Sequence, residues 1–179
     1  RSIYGRMRAV RSLREALFWE RENFQIQLDL GKVYLRQGFR YNAKKKFNWL
    51  RKTEPNNIEL LLALAKLFQD DVEYYQNMVN TFTDDRGVLS FVDANLLTNI
   101  FNYDGAVDVK NIMRDRDELF GQFQDFSNYL EKDFNQAVMT YKQVLFLDPD
   151  NREAIYQLGL LSFTAGMIPD FIKFQKRLL

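Results

Sequence analysis

The stretch LGKVYLRQGFRYNAKKKFNWLRKTEP, residues 30–55, decides the fold. Within it Leu30-Gly31, Tyr34, Gly38, Ala43, Phe47 and Pro55 stand at fixed offsets, and pieces of the same string return later. Ala137, Tyr141 and Pro149 repeat the steps from Ala43 to Phe47 to Pro55, four residues and then eight. Leu158-Gly159 follows Pro149 by nine residues, as Leu64-Ala65 follows Pro55. Gly166 and Phe171 then stand where Gly38 and Ala43 stood. A pattern that returns at constant offsets marks stacked helical hairpins.

Each position of the string has a physical reason. Leu30/Tyr34 and Ala43/Phe47 are i,i+4 pairs on the apolar faces of two successive helices. Gly31 lacks a Cβ, so a neighbouring helix can approach closely. Gly38 suits the left-handed residue that ends the first helix. Pro55 cannot continue the second helix. Asn56-Asn57 after Pro55, and Asp150-Asn151 after Pro149, offer N-caps to the helices that follow, and Glu22-Asn23 holds the same place before residue 24.

These residues resemble the tetratricopeptide repeat family, a helical-hairpin array with a unit of about 34 residues and a W-x2-L-G-x2-Y, Ala, Phe, Pro pattern. Residues 24–57 carry Leu30, Gly31, Tyr34, Ala43, Phe47 and Pro55, while the leading Trp is replaced by Gln27. The expected fold is all-α, a right-handed α-solenoid of helix-turn-helix repeats with an irregular middle section. Repeats are expected over 1–68 and 133–179, with degenerate helical hairpins over 69–132, in one domain 1–179. About eleven helices are expected, near 3–21, 24–37, 40–53, 57–68, 71–82, 88–102, 106–115, 117–130, 133–147, 152–165 and 168–178. Pro55 and Pro149 are 94 residues apart, not a multiple of 34, so the hairpins between them must be longer, shorter or interrupted. Asp84-Asp85-Arg86-Gly87 and Tyr103-Asp104-Gly105 read as turns in this interval.

Ala9, Leu13 and Ala16 reproduce the face of a second helix, and Leu178 takes the place of Leu50. Both ends thus fall inside repeats without the polar caps an array needs, which points to a piece of a longer chain. The chain begins at Arg1 and not at Met. Its longest apolar run, Leu60 to Ala65, is far too short to span a bilayer. A soluble, cytoplasmic protein is the default expectation.

Composition narrows the chemistry. Cysteine and histidine are both absent, which removes disulfides, thiolate sites, and the commonest general base and metal ligand. No phosphate loop or dinucleotide fingerprint is present. The adjacent acids Asp70-Asp71, Asp84-Asp85 and Asp115 with Asp117-Glu118 read as helix caps at turns and not as a carboxylate pair. Asn102-Tyr103-Asp104-Gly105 lacks the closing Glu of a calcium loop. The sequence therefore reads as non-catalytic, with no cofactor and no metal.

Charge is unevenly placed. Residues 1–52 hold 14 Lys+Arg against four Asp+Glu, for +10, and residues 53–179 hold 11 against 20, for −9. The basic clusters are Arg1, Arg6, Arg8, Arg11 and Arg14, and then Arg36, Arg40, Lys44, Lys45, Lys46, Arg51 and Lys52. They fit either a surface for an acidic partner or the solvated outer faces of helices. Three successive lysines cannot all face one groove.

In the tetratricopeptide family the first helices line the inner surface. The resemblance therefore places Leu28, Lys32, Leu35 and Arg36 there, then Leu62 and Lys66, then Tyr156, Leu160 and Phe163. The columns Leu28/Leu62/Tyr156 and Lys32/Lys66/Leu160 lack the Lys, Asn and Arg set with which some members clamp a terminal carboxylate. The resemblance implies a scaffold or adaptor that binds other protein subunits through these residues. The alternative is an RNA-binding helical repeat using the basic patch Arg40, Lys44, Lys45, Lys46, Arg51 and Lys52. The columns Gln25/Glu59/Glu153 and Lys32/Lys66/Leu160 do not form the register of polar readers such a code needs.

Overall fold

Three asparagines set the register of the fold. Asn23, Asn57 and Asn151 each accept, at the side-chain oxygen, the backbone N–H of the residue three positions on: Ile26 at 3.1 Å, Leu60 at 3.0 Å and Ala154 at 3.0 Å. Each also donates from its amide nitrogen to the acid three positions back: Glu20 at 2.7 Å, Glu54 at 2.8 Å and Asp148 at 3.0 Å. One helix begins after each of them, because the asparagine satisfies an amide that has no partner inside the helix.

The computed structural model describes residues 3–81 and 109–178, with side chains over 8–80 and 117–178. Among them are seven α-helices and no β-strand. They are α1 (Ile3–Trp19), α2 (Phe24–Arg36), α3 (Arg40–Thr53), α4 (Ile58–Thr81), α5 (Val109–Leu147), α6 (Arg152–Thr164) and α7 (Ile168–Leu178). The chain forms two compact units, Arg1–Gln69 with Asn135–Leu179, and Asp70–Phe134.

In the first unit the helices pair. Helices α2 and α3 are joined through Gly38 at φ 79°, and α6 and α7 through Gly166 at φ 71°. Both joints close in the same way. The N–H of Phe39 donates to the Tyr34 carbonyl at 2.9 Å and that of Gly38 to Leu35 at 3.0 Å. The N–H of Met167 donates to Ser162 at 2.8 Å and that of Gly166 to Phe163 at 3.0 Å. This six-to-one and five-to-two pattern satisfies the last carbonyls of the helix and requires a left-handed residue, which glycine supplies without strain. The rings of Tyr34 and Phe39 meet edge-on at 6.3 Å and close the apolar side of the first joint.

The apolar columns show the repeat directly. Ala43, Phe47 and Leu50 of α3 and Ala137, Tyr141 and Val144 of α5 share one spacing, and all six are buried. Leu30, Leu64 and Leu158, seven residues after their cap asparagines, are likewise buried. Burying a side chain of this size contributes about 1.5–3 kcal/mol, which makes these columns the main source of cohesion. At the helix crossing a Cβ on Gly31 would lie 2.4 Å from Cε1 of Phe47, so only glycine fits.

The 94-residue interval has a simple resolution. The caps define the unit as 57 − 23 = 34 residues. The segment after Asn57 begins a first helix, and its second helix is the end of α5, with Ala137, Tyr141 and Val144 in the expected places. Tyr141 donates to Gln69 Oε1 at 3.0 Å, and Gln143 reaches back to the Pro55 carbonyl at 3.3 Å. Arg51 of α3 donates to Gln143 at 3.3 Å. One repeat therefore holds 94 − 34 = 60 extra residues between its two helices, and they fall in the second unit.

That arrangement corrects the expected helix count. The helices expected at 57–68 and 71–82 are one, α4, because nothing between Ile58 and Thr81 is Gly or Pro. Those expected at 117–130 and 133–147 are one as well, joined to residues 109–116 in α5. The expected cap Asp70-Asp71 lies inside α4 accordingly, with Asp71 buried. The expected turns at 84–87 and 103–105 and the helix at 88–102 lie outside the described residues.

In the second unit Tyr75 of α4 stacks on Tyr129 of α5 at 5.4 Å and sits 6.2 Å from Phe126. Burial, and then the charges of Asp71 and Asp133, push the Tyr75 phenol above its ordinary range.

Candidate functional site

The first helices of the repeats supply the candidate surface. In α2 Leu28 is wholly buried, which removes it from the set expected to meet a partner. It is covered because α2 packs against both α1 and α3. Lys32 lies three-quarters covered and pairs with Glu59 of α4, so the two first helices lie side by side. That pair leaves Glu59 half exposed and contributes at most about 1 kcal/mol. Leu35 is half-buried and Arg36 exposed.

In α4 Leu62 is half-buried and Lys66 exposed. In α6 the three expected positions are apolar. Tyr156 is 47% and Phe163 56% exposed, with Leu160 half-buried between them. These three stand at i, i+4 and i+7 and so form one stripe along the helix. The opposite face of α6, with Ala154, Ile155, Leu158 and Leu161, is buried. Phe163 also meets Phe171 of α7 at 5.3 Å between ring centres. On α7 itself Ile168 and Ile172 are exposed at 46% each, next to Met167 in the joint.

The basic patch on α3 is not one surface. Lys44 turns toward α4, its ammonium 5.1 Å above the ring of Phe68. Lys46 turns to α2 and donates to Gln27 Oε1. Arg51 reaches α5 through Gln143. Lys45 and Lys52 are exposed, and Arg40 is half-buried. Successive residues of a helix point about 100° apart, which scatters a run of three lysines round the axis.

Sequence reasoning passed over Trp49, which is 47% exposed and lies under Lys46 at 5.9 Å. It also passed over Gln27 as a polar residue of the core, 8% exposed, whose amide donates to the Arg21 carbonyl at 2.7 Å. The signal was present as the missing Trp of the repeat pattern: a polar side chain at a core position must bring its own partners. No cluster that could hold a metal ion occurs among the described residues. No helix among them is long and apolar enough to cross a membrane.

Against known proteins, no family profile and no curated protein matches the chain. Among solved structures, that of MamA is similar over 94% of this chain and 84% of its own, at 16% identity and a TM-score of 0.33. A likeness of this depth adds nothing to what the helix packing itself shows.

Proposed function

We propose that the chain is a non-catalytic scaffold or adaptor of a multi-protein assembly, gripping a partner through the outward residues of its first helices. The supporting observation is the stripe Tyr156, Leu160 and Phe163. An apolar stripe that keeps about half of each aromatic ring exposed, along a helix whose other face is already buried, marks a contact with another molecule. Leu35, Arg36, Leu62 and Lys66, on the first helices α2 and α4, extend the proposed contact set and supply its selectivity.

The experiment compares proteins captured from the native cell by the chain and by its Tyr156→Glu, Phe163→Glu variant. The charges leave the buried face of α6 untouched and remove only the half-exposed contact of Phe163 with Phe171, so the variant stays folded, which a cooperative melt checks. Loss of a defined set of captured proteins supports the reading. Equal capture by the variant refutes it, and so does capture that nuclease abolishes, since RNA is then the ligand.

A further inference from the structure

The described surface also carries a pocket of about 360 Å³ that opens between α1, α2 and α3. Its charged lining is Arg14 of α1 and Lys45 and Lys46 of α3, and no Asp or Glu lines it. Each repeat otherwise fills the position of Gln27 with a core residue, Leu61 in one and Ile155 in another, both at most 2% exposed. A polar side chain is thus kept in a place that packing alone would give to an aliphatic one.

That residue positions a cation. Gln27 is tied to the Arg21 carbonyl and accepts from Lys46, which also lies over the Trp49 ring. A polar group on a second buried residue positions another. The Tyr34 hydroxyl, on a residue 7% exposed, accepts from Arg14 Nη2 at 2.9 Å and Nε at 3.2 Å. The guanidinium is held by one edge and keeps further N–H donors for a ligand. Lys45 is exposed at the rim and has no hydrogen bond or ion pair to another described residue.

We propose that this pocket binds a phosphate monoester carried on a polypeptide side chain. Three cations and no carboxylate match a group with a charge near −2 and three acceptor oxygens better than they match a single carboxylate. Fixing Arg14 and Lys46 through buried partners lowers the ordering cost of binding. Trp49 supplies an apolar wall beside the cations, on which the carbon chain of the modified residue rests. The volume lies at the small end of ligand pockets and suits one side chain. A nucleic-acid strand needs a run of cations along its backbone, whereas Lys44 and Arg51 nearby are turned onto Phe68 and Gln143. Burial, and then the charge of Lys45, hold the Lys46 ammonium below its ordinary range, a condition that a bound anion relieves. The pocket stands apart from the first-helix stripe, and the proposal does not rest on it.

The test titrates the whole chain, isotopically labelled, with the pentapeptide acetyl-Gly-Ala-phosphoSer-Ala-Gly-amide in about 100 mM salt, where long-range charge effects are damped. The readouts are the indole N–H signal of Trp49 and the Nε–H signal of Arg14. Saturable shifts of both are expected, with affinity about tenfold above that of the Asp-containing pentapeptide. Arg14→Gln and Lys45→Gln should each weaken binding at least about fivefold, and Lys52→Gln, the same charge change outside the pocket, less than about twofold. Lys45 supports no other side chain, so its variant reports binding without loss of fold. Four results overturn the proposal: no saturation, equal weakening by Lys52→Gln, equal affinity for inorganic phosphate, or tighter binding of a uridine oligonucleotide at the same signals.

Discussion

Alanine placed at Gly31 and at Gly159 should change stability in opposite directions, although the two glycines hold equivalent positions eight residues after Asn23 and Asn151. In both helices the substitution gains about 1 kcal/mol of helix propensity, since glycine is the costlier residue in a helix interior. The space differs. At Gly31 the new methyl would stand 2.4 Å from Phe47 Cε1, 2.9 Å from Cδ1 and 3.2 Å from Cζ. Phe47 is 0% exposed and sits in a close-packed core, so its ring can yield only by displacing its own neighbours. Overpacking of that kind costs about 1–3 kcal/mol, which outweighs the propensity gain and leaves a net loss of up to about 2 kcal/mol. At Gly159 the nearest atoms are Gln175 Nε2 at 3.4 Å, Phe174 Cβ at 3.5 Å and Phe171 Cδ2 at 3.9 Å. These are ordinary contacts, so Gly159→Ala keeps a gain of up to about 1 kcal/mol. Urea denaturation of the two variants and the parent, followed by circular dichroism, reads both signs. Adding Phe47→Leu to Gly31→Ala should recover part of the loss, with a coupling of at least about 0.5 kcal/mol for residues in contact. Two variants that move the midpoint the same way, or a coupling of zero, would refute the close-approach account of Gly31.

Asn57→Ala should cost about 1 kcal/mol, because it removes the bond to the Leu60 amide together with the hold on Glu54; a thermal midpoint unchanged from the parent would contradict the cap assignment. Replacing residues 71–133 by a Gln-Gly-Phe turn copied from 37–39, which removes the 60 extra residues and keeps the register, should leave the first unit able to melt cooperatively, since Gln69 and Tyr141 already meet; a chain without a cooperative transition would show that the repeat needs its insertion. Because the folded-state value of Tyr75 is raised, the stability of its neutral phenol is complete below the ordinary tyrosine value of 10.0 and is lost as pH rises through the raised one. Tyr75→Phe should therefore flatten the alkaline fall in stability, and unfolding midpoints across that pH range would expose the error if parent and variant fell together.

Much of the fold was legible because the signals were local. The helix starts follow from Asn23, Asn57 and Asn151, and the joints from Gly38 and Gly166, each through hydrogen bonds spanning six residues or fewer. The apolar columns followed from spacing alone. The helix breaks near residues 70 and 131 were misplaced for a physical reason: acidic and polar residues at a repeat-length interval resemble a cap, yet without Gly or Pro nothing obliges the helix to stop. Of the candidate site, the aromatic stripe Tyr156, Leu160 and Phe163 was legible from the register. Leu28 was not, since a leucine at a first-helix position has the same spacing whether a neighbour covers it or not. The directions of Lys44, Lys46 and Arg51 were hidden as well. A run of like charges says nothing of the partners that Gln27, Phe68 and Gln143 supply from other helices.

The interrupted repeat shows why a spacing that looked irregular conceals a regular unit. Its first helix must still present Leu60, Leu61 and Leu64 to the core, and its second must present Ala137, Tyr141 and Val144. Those demands fix only the packed lengths of the two helices and leave their far ends unconstrained. Lengthening both at the joint preserves every buried column, whereas an insertion elsewhere would shift one column against the others and bury polar residues. The entropy of closing a longer connection rises only with the logarithm of its length, about 0.6 kcal/mol for each doubling, and is offset by the aromatic contacts of Tyr75 with Phe126 and Tyr129. The joint between the two helices of a pair is thus the place where this array tolerates 60 further residues. A search for the repeat by period alone fails there, because the period is kept in the packing and not along the chain.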